Sequence, residues 1–403
     1  MQWYTFIAWA AIFAQGLVLY HAVRNYRYAL AKYERKKRKV CEPRVVVIIP
    51  CRGLDARFQT NITSFFKQTY DSYRLFFVVE DKADPAYTKL GEVKEAVGRE
   101  SKASDTQILI SGRSTSCSQK IHNVLYALER VPEDTDILAF ADSDVCVRGD
   151  WLMRLVWPLR RGGRGAATGY RWFIPTVNNL PTLAMSAINA GVAQLLGNSR
   201  LNHAWGGSMA IRVEDFRRLD LERIWRGTLS DDLSLSHAVK KAGMKVIFVP
   251  GCLVPSFEST TWSGLYEFAR RQFLITRVYV PRTWWTALLA SFGSVAGLWG
   301  GLALAGYAAA IHAEHIVLYA AVPALFFAGQ IFRAVLRQFA AMQILSEYSP
   351  QLWRAATADV LGCWIWSVLL FVYILSSAFG RTIRWRGIRY KLDGPAQTEV
   401  LGS

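Results

Sequence analysis

The sequence predicts an α/β domain, a mostly parallel sheet with helices on both faces, flanked by transmembrane helices. Three observations carry this. Short apolar runs alternate with helical patterns between residues 45 and 282, long uncharged runs lie on either side of that stretch, and basic residues gather beside those runs. With 52% hydrophobic and 20% charged residues in 403, the chain is too apolar for disorder and long enough for two or three domains. Its 48 Lys and Arg against 31 Asp and Glu give a formal charge of +17, which implies an acidic partner. Residues 24–44 hold nine Lys/Arg and two Glu, and residues 381–393 five Lys/Arg and one Asp, so two short stretches carry +11 of the surplus. That placement, beside apolar runs, points to anionic lipid head groups and away from nucleic acid. The six cysteines, Cys41, Cys51, Cys117, Cys146, Cys252 and Cys363, form no CxxC and no His-paired spacing. They indicate neither a zinc site nor a disulfide framework, and fit a reducing compartment.

Taking the elements in order, residues 3–23 are uncharged for 21 positions, the length that crosses a hydrocarbon core of roughly 30 Å. The positive charge comes after this run and no small-residue cleavage site does, so it reads as a retained anchor rather than a signal peptide. By the positive-inside rule the basic juxtamembrane linker, residues 24–44, is cytoplasmic, and so is the chain from Val45 onward. Later uncharged runs span 284–311, 315–332 and 360–379, the first two forming a hairpin through His312-Ala-Glu314. If the third also spans, the basic tail, 381–403, lies outside against the rule. One element is then re-entrant or interfacial, and residues 333–356, which mix apolar residues with Arg333, Arg337, Glu347 and Arg354, suit an interfacial helix.

In the middle, residues 45–49, 75–79, 107–110, 137–141 and 246–249 are apolar runs of the buried-strand type. Ligands of open α/β sheets bind at the carboxyl ends of strands, so Arg52 to Asp55, Glu80 to Asp84 and Asp142 to Asp144 are expected to converge on one crevice. No GxGxxG or GxxxxGK[ST] occurs, which gives no support to a dinucleotide fold or a P-loop kinase. Three acidic loops facing one pocket call for a cation. Asp142-Ser-Asp144 places two carboxylates where both reach one hard divalent ion, Mg²⁺ or Mn²⁺, with coordination sites left for phosphate oxygens. The same residues also make an ordinary turn; their position after a buried strand in a membrane protein favours the metal. Asp231-Asp232 opens a helical pattern, where carboxylates also serve as caps.

These residues resemble a known family. Cys51-Arg-Gly-Leu-Asp55, Asn61, Phe65-Phe66, Tyr70, Tyr73 and Glu80-Asp81-Lys-Ala-Asp84-Pro85-Ala86 are similar to ceramide glucosyltransferases, and more broadly to the inverting family-two-like glycosyltransferases of GT-A fold, a Rossmann-like nucleotide-sugar-binding architecture. Ser118-Gln-Lys120-Ile-His-Asn123 resembles the family's Lys-x-x-Asn segment, Ala141-Asp142-Ser143 its second Asp motif, and Ser230-Asp231-Asp232 its third. The tail Trp385-Arg386-Gly-Ile-Arg389-Tyr390-Lys-Leu392 is the most specific match, and the resemblance runs from about Val45 to Leu392. There are two departures. The family's Arg-Trp pair before the membrane hairpin is replaced by Ala269-Arg270-Arg271-Gln272-Phe273, and Asp144 stands where ceramide enzymes have Gly and other family-two enzymes Asp.

The resemblance implies a membrane enzyme that moves a sugar, glucose by analogy, from a UDP-sugar to the hydroxyl of a membrane lipid with inversion. Asp232 is then the catalytic base. Asp81, Lys120, Asp231, Arg271, Gln272, Arg386 and Arg389 are the substrate-binding residues, and Asp142 and Asp144 hold the metal. The acceptor enters from the bilayer, and Phe173, Ile174, Leu180, Leu183 and Met185 either meet it or form core. The resulting domains are an anchor at 1–23, a linker at 24–44, a cytosolic GT-A catalytic domain at 45–282, a membrane region at 283–380 and the tail at 381–403. The protein is expected in a bacterial inner membrane or an endomembrane. Two rival readings are a processive polysaccharide synthase, which needs more spans than four, and a non-catalytic nucleotide- or lipid-binding scaffold, which the intact Asp motifs oppose.

Overall fold

The structure, a computed structural model, describes residues 2–34 and 43–402. The chain divides into two compact units, one made of Ala29–Trp172, Asn198–Phe257 and Arg381–Ser403, the other of Met1–Tyr28, Phe173–Gly197 and Glu258–Gly380. In chain order the elements up to the middle are α1 (Gln2–Tyr33), β1 (Val45–Pro50), α2 (Phe58–Phe66), β2 (Tyr73–Val79), α3 (Pro85–Val97), β3 (Asp105–Ile110), α4 (Gln119–Leu128), β4 (Ile137–Ala141) and α5 (Trp151–Val156). Next come β5 (Arg164–Pro175), α6 (Leu180–Ala193), β6 (Ser208–Arg212), α7 (Val213–Arg218), α8 (Leu221–Trp225), α9 (Asp231–Lys241) and β7 (Lys245–Glu258). The remainder is α10 (Trp262–Tyr279), α11 (Pro281–Val295), α12 (Gly301–Ala310), α13 (Ile316–Ile344), α14 (Ser349–Ser376), β8 (Thr382–Trp385), β9 (Ile388–Gly394) and β10 (Gln397–Gly402).

Among the described residues, the first unit is built on a seven-stranded sheet in the order β3-β2-β1-β4-β6-β5-β7. Strands β3, β2, β1 and β4 run parallel, and β6 is antiparallel to both β4 and β5. All five predicted apolar runs are strands. Because side chains alternate along a strand, β1 feeds two cores at once. Val45, Val47 and Ile49 pack with Phe58, Ile62, Leu90 and Trp151 on one face, and Val46 and Ile48 with Ile121, Phe216, Trp225 and Leu235 on the other. Burying the apolar runs on both faces leaves only the strand ends for chemistry.

The tail is not a loose basic segment. Strands β8, β9 and β10 form an antiparallel sheet, and Ile383, Ile388, Tyr390 and Leu392 are buried while Arg384, Arg389 and Lys391 alternate with them. It packs within the first unit: Thr228 Oγ1 donates to the Pro395 carbonyl at 2.8 Å, and Thr398 N to the Gly227 carbonyl at 3.1 Å. A Cβ on Gly227 would lie 2.5 Å from the Ala396 oxygen, so glycine is required for this close approach. Three membrane-length helices lie between Phe257 and Arg381, so a tail on the same side of the membrane as the seven-stranded sheet requires that one of them does not cross. Cysteines at Glu399 and Lys102, two exposed positions, are expected to react from the same face of sealed vesicles in a background without native cysteines; labelling from opposite faces would refute this topology.

Among the described residues, four helices are long and apolar enough to cross a membrane: Tyr4–Tyr33, Pro281–Ala310, Ile316–Ile344 and Ser346–Ser376. Helix α1 continues past residue 23 to Tyr33, into the stretch assigned to the linker, and residues 35–42, with most of its charge and Cys41, lie outside the described residues. The expected interfacial helix at 333–356 is not a separate element. Helix α13 runs on to Ile344 and α14 begins at Ser349 after a short turn. Arg337 is tolerated there because of Asp359, which is fully buried and takes Arg337 Nε at 2.7 Å, Arg337 Nη2 at 2.5 Å and Gln338 Nε2 at 2.6 Å. A charge answered inside the bundle needs no water. In this unit Phe173 and Met185 belong to a core with Leu265, Ala269, Trp366 and Tyr373, and Ile174 is also buried. Leu180 is 62% exposed.

Candidate active site

The carboxyl ends of β1, β2 and β4 and the N-termini of α4 and α9 supply the site. Ser118 caps α4 and Ser230 caps α9, each accepting from a backbone N–H of the first turn, which places Lys120 and Asp231-Asp232 at helix starts. The turn after β4 is held from behind, since Asn61 Nδ2 donates to the Ser143 carbonyl at 3.3 Å and Ser256 Oγ to the Asp144 carbonyl at 3.1 Å. Asn123, the other polar residue of the Lys-x-x-Asn segment, is structural: its amide braces the Val78 carbonyl at 3.2 Å.

Lys120 Nζ lies 2.8 Å from Asp142 Oδ1 and 3.2 Å from Asp231 Oδ2. Arg171, on β5, reaches Asp142 Oδ2 at 3.1 Å and Asp144 Oδ2 at 3.7 Å, with its guanidinium 4.8 Å from the Trp205 ring. Asp232 Oδ2 accepts from Gly206 N at 3.1 Å, and its Oδ1 from Leu233 N at 2.7 Å. Asp231 is 3% exposed, whereas Asp232 is half-buried at the crevice. Arg386, at the β8–β9 turn with φ 48°, donates to the Arg52 carbonyl at 2.9 Å and to Asp55 Oδ1 at 3.3 Å. That left-handed backbone aims the tail's arginine at the acidic loops, and Tyr390 Oη meets Gln119 N at 3.4 Å.

The electrostatics separate the carboxylates. Burial raises Asp142, but Lys120 and Arg171 outweigh it and hold the group below its ordinary value. Burial also raises Asp144; Arg171 pulls back, Asp142 and Asp55 add to the rise, and the net direction is up. Asp231 is pushed up to about 6 by burial, with Lys120 opposing and Asp232 adding. Burial lowers Lys120, yet Asp142, Asp231 and Asp232 together raise it, so it stays charged.

Of the expected site residues, Lys120, Asp142, Asp144, Asp231, Asp232 and Arg386 thus come together in one unit. Asp81 is exposed after β2, its Oδ1 accepting from Ala83 N at 2.8 Å. Asp84 caps α3 and accepts from Gly53 N at 2.9 Å, a structural role. Arg389 is exposed and alternates with Tyr390, which puts it on the strand face away from the buried one. Arg271 and Gln272 lie on α10 of the other unit, with the Arg271 guanidinium 5.5 Å from the Phe268 ring. Sequence reasoning missed Arg171 and the Trp205-Gly206-Gly207 loop. A Cβ on Gly206 would sit 2.7 Å from both Asp231 Oδ2 and Lys120 Nζ, and one on Gly207 2.6 Å from Asp142 Oδ2, so the Gly-Gly pair was the available signal.

Among the described residues no group of three or more His, Cys, Asp or Glu has the arrangement to hold a metal by itself. Two hard carboxylates are present, and Asp144 Oδ1 is buried without a hydrogen-bond partner. That orphaned acceptor fits a cation whose remaining ligands come from a substrate diphosphate.

The chain is a glycosyltransferase by the family it matches, and that family implies a nucleotide-sugar donor. Residues 4–397 match glycosyl transferase family 21, and the chain belongs to that family. The resemblance drawn from Val45 to Leu392 holds at this level. Among solved structures it is similar to the mannosyltransferase PcManGT from Pyrobaculum calidifontis, in complex with GDP-Man and Mn²⁺, at 16% identity and a TM-score of 0.45, over 92% of this chain and 97% of that one.

Proposed function

We propose that the protein transfers a single sugar, glucose, from a UDP-sugar to the hydroxyl of a membrane lipid, ceramide or a similar lipid, with inversion, on the cytoplasmic face of its membrane. The observation that carries this reading is the half-buried Asp232, its Oδ2 fixed by Gly206 N at 3.1 Å, next to the largely buried Lys120–Asp142–Asp231 cluster. Asp232 takes the proton of the acceptor hydroxyl as that oxygen bonds to the anomeric carbon, while the bond from that carbon to the UDP oxygen breaks on the opposite face. Lys120 and Arg386 face the developing negative charge of the departing diphosphate, and Arg271, Gln272 and Arg389 contribute to substrate binding. Asp81 hydrogen-bonds the uracil or ribose. Asp142 and Asp144 hold Mg²⁺ or Mn²⁺, which when bound supplies positive charge to the diphosphate.

Purified protein incubated with radiolabelled UDP-glucose or UDP-galactose and mixed lipids is expected to put label into the organic phase as one product bearing one sugar. EDTA should abolish that transfer. A ladder of products or a water-soluble polymer would overturn the lipid reading, and activity persisting in chelator would remove the metal.

A further inference from the structure

The guanidinium of Arg171 spans both carboxylates of Asp142-Ser-Asp144, at 3.1 Å from Asp142 Oδ2 and 3.7 Å from Asp144 Oδ2. Lys120 holds the other oxygen of Asp142 at 2.8 Å, which leaves Asp144 Oδ1 as the unpartnered acceptor of the pair. Arg171 is only 15% exposed, and a guanidinium does not give up its charge near neutral pH. A divalent cation that uses both carboxylates therefore meets a permanent positive charge already bridging them. A diphosphate changes the balance, because its oxygens offer the same bidentate geometry to Arg171 that the carboxylates do.

We propose that Arg171 is a positioning residue that aligns Asp142 and Asp144 and competes with the divalent cation for them, so that metal and nucleotide bind cooperatively. This rests on the metal-binding reading of the two carboxylates above. Metal alone binds weakly. Metal with UDP binds tightly, since the diphosphate takes over the guanidinium and brings ligands for the ion. The coupling is reciprocal, so UDP affinity rises with metal by the same factor.

The test measures Mn²⁺ binding by the paramagnetic resonance signal of the free ion, on full-length protein without sugar donor, with and without UDP. In Arg171→Gln, Mn²⁺ without UDP is expected to bind at least about tenfold more tightly than in wild type, because a nearby like charge is gone. The cooperativity with UDP should shrink by a similar factor. Arg171→Lys, which keeps the charge and loses the bridge, should retain weak binding of Mn²⁺ alone. Unchanged or weaker Mn²⁺ affinity in Arg171→Gln, with a wild-type melting temperature, overturns the competition while leaving the metal site standing. Absence of Mn²⁺ binding by wild type even with UDP overturns both.

Discussion

Replacing Asp232 by Asn is expected to lower sugar transfer by at least about a hundredfold, the lower end for loss of a general base, and to leave UDP affinity near wild type. The amide keeps an oxygen that can accept from Gly206 N or Leu233 N, so the helix start and the loop stay in place while proton acceptance is lost. Its neighbour makes the comparison sharp. Asp231 is 3% exposed and held by Lys120 at 3.2 Å, so the acceptor hydroxyl is proposed to meet the more exposed Asp232. Asp231→Asn is therefore expected to act on the placement of Lys120 and to cost less in turnover. If Asp231→Asn proves the more damaging in a radiolabel assay, the two roles are exchanged. If neither replacement matters, the reaction does not use this site.

The sequence announces those elements whose burial is uniform and hides those whose packing is not. Strands β1 and β4, and β2 from Leu75 onward, bury both faces and are apolar. Strand β5 does the same job with Arg164-Gly165-Ala166-Ala167-Thr168-Gly169, because close neighbours exclude side chains. A Cβ on Gly169 would lie 1.9 Å from the Cys252 oxygen, and one on Gly165 2.6 Å from Val239 Cγ1. The apolar run that signals a strand cannot exist there. In the tail the period-two pattern of Ile388, Tyr390 and Leu392 is present but overlaid by arginines, so that charge masks the strand. Likewise, Arg337 looks incompatible with a span until Asp359, 22 positions on, comes opposite it. The candidate site is legible where motif residues adjoin a strand end, as with Asp142, or open a helix, as with Lys120 and Asp232. Arg171 is not, since nothing in its neighbours along the chain foretells that β5 lies across the sheet from β4.

Lys120→Met is expected to lower stability by about 3 kcal/mol and transfer by more than about a hundredfold, because it removes the ammonium that two carboxylates share and leaves Asp231 without a cation. Side-chain exposures of 15% for Lys120, 20% for Asp142 and 5% for Asp231 put the group largely out of water. Removal of one member of a buried pair costs about 3–5 kcal/mol, and two features favour the low end. Arg171 still answers Asp142 at 3.1 Å. Asp231, already pushed up to about 6 by burial, with Lys120 opposing, takes up a proton readily once the lysine is gone. Both partners are raised, which favours the charged form of Lys120 but disfavours that of Asp231, strained by burial. The Lys120–Asp142 contact, where Asp142 is lowered, is therefore the stabilising one, and Asp231 is the residue that needs the lysine. The double variant Lys120→Met/Asp231→Asn should then recover most of the melting temperature and none of the activity, since it removes the stranded charge without restoring a cation for the diphosphate. A double variant as unstable as the single one would show that the loss arises from packing against Gly206 and not from the unpaired carboxylate.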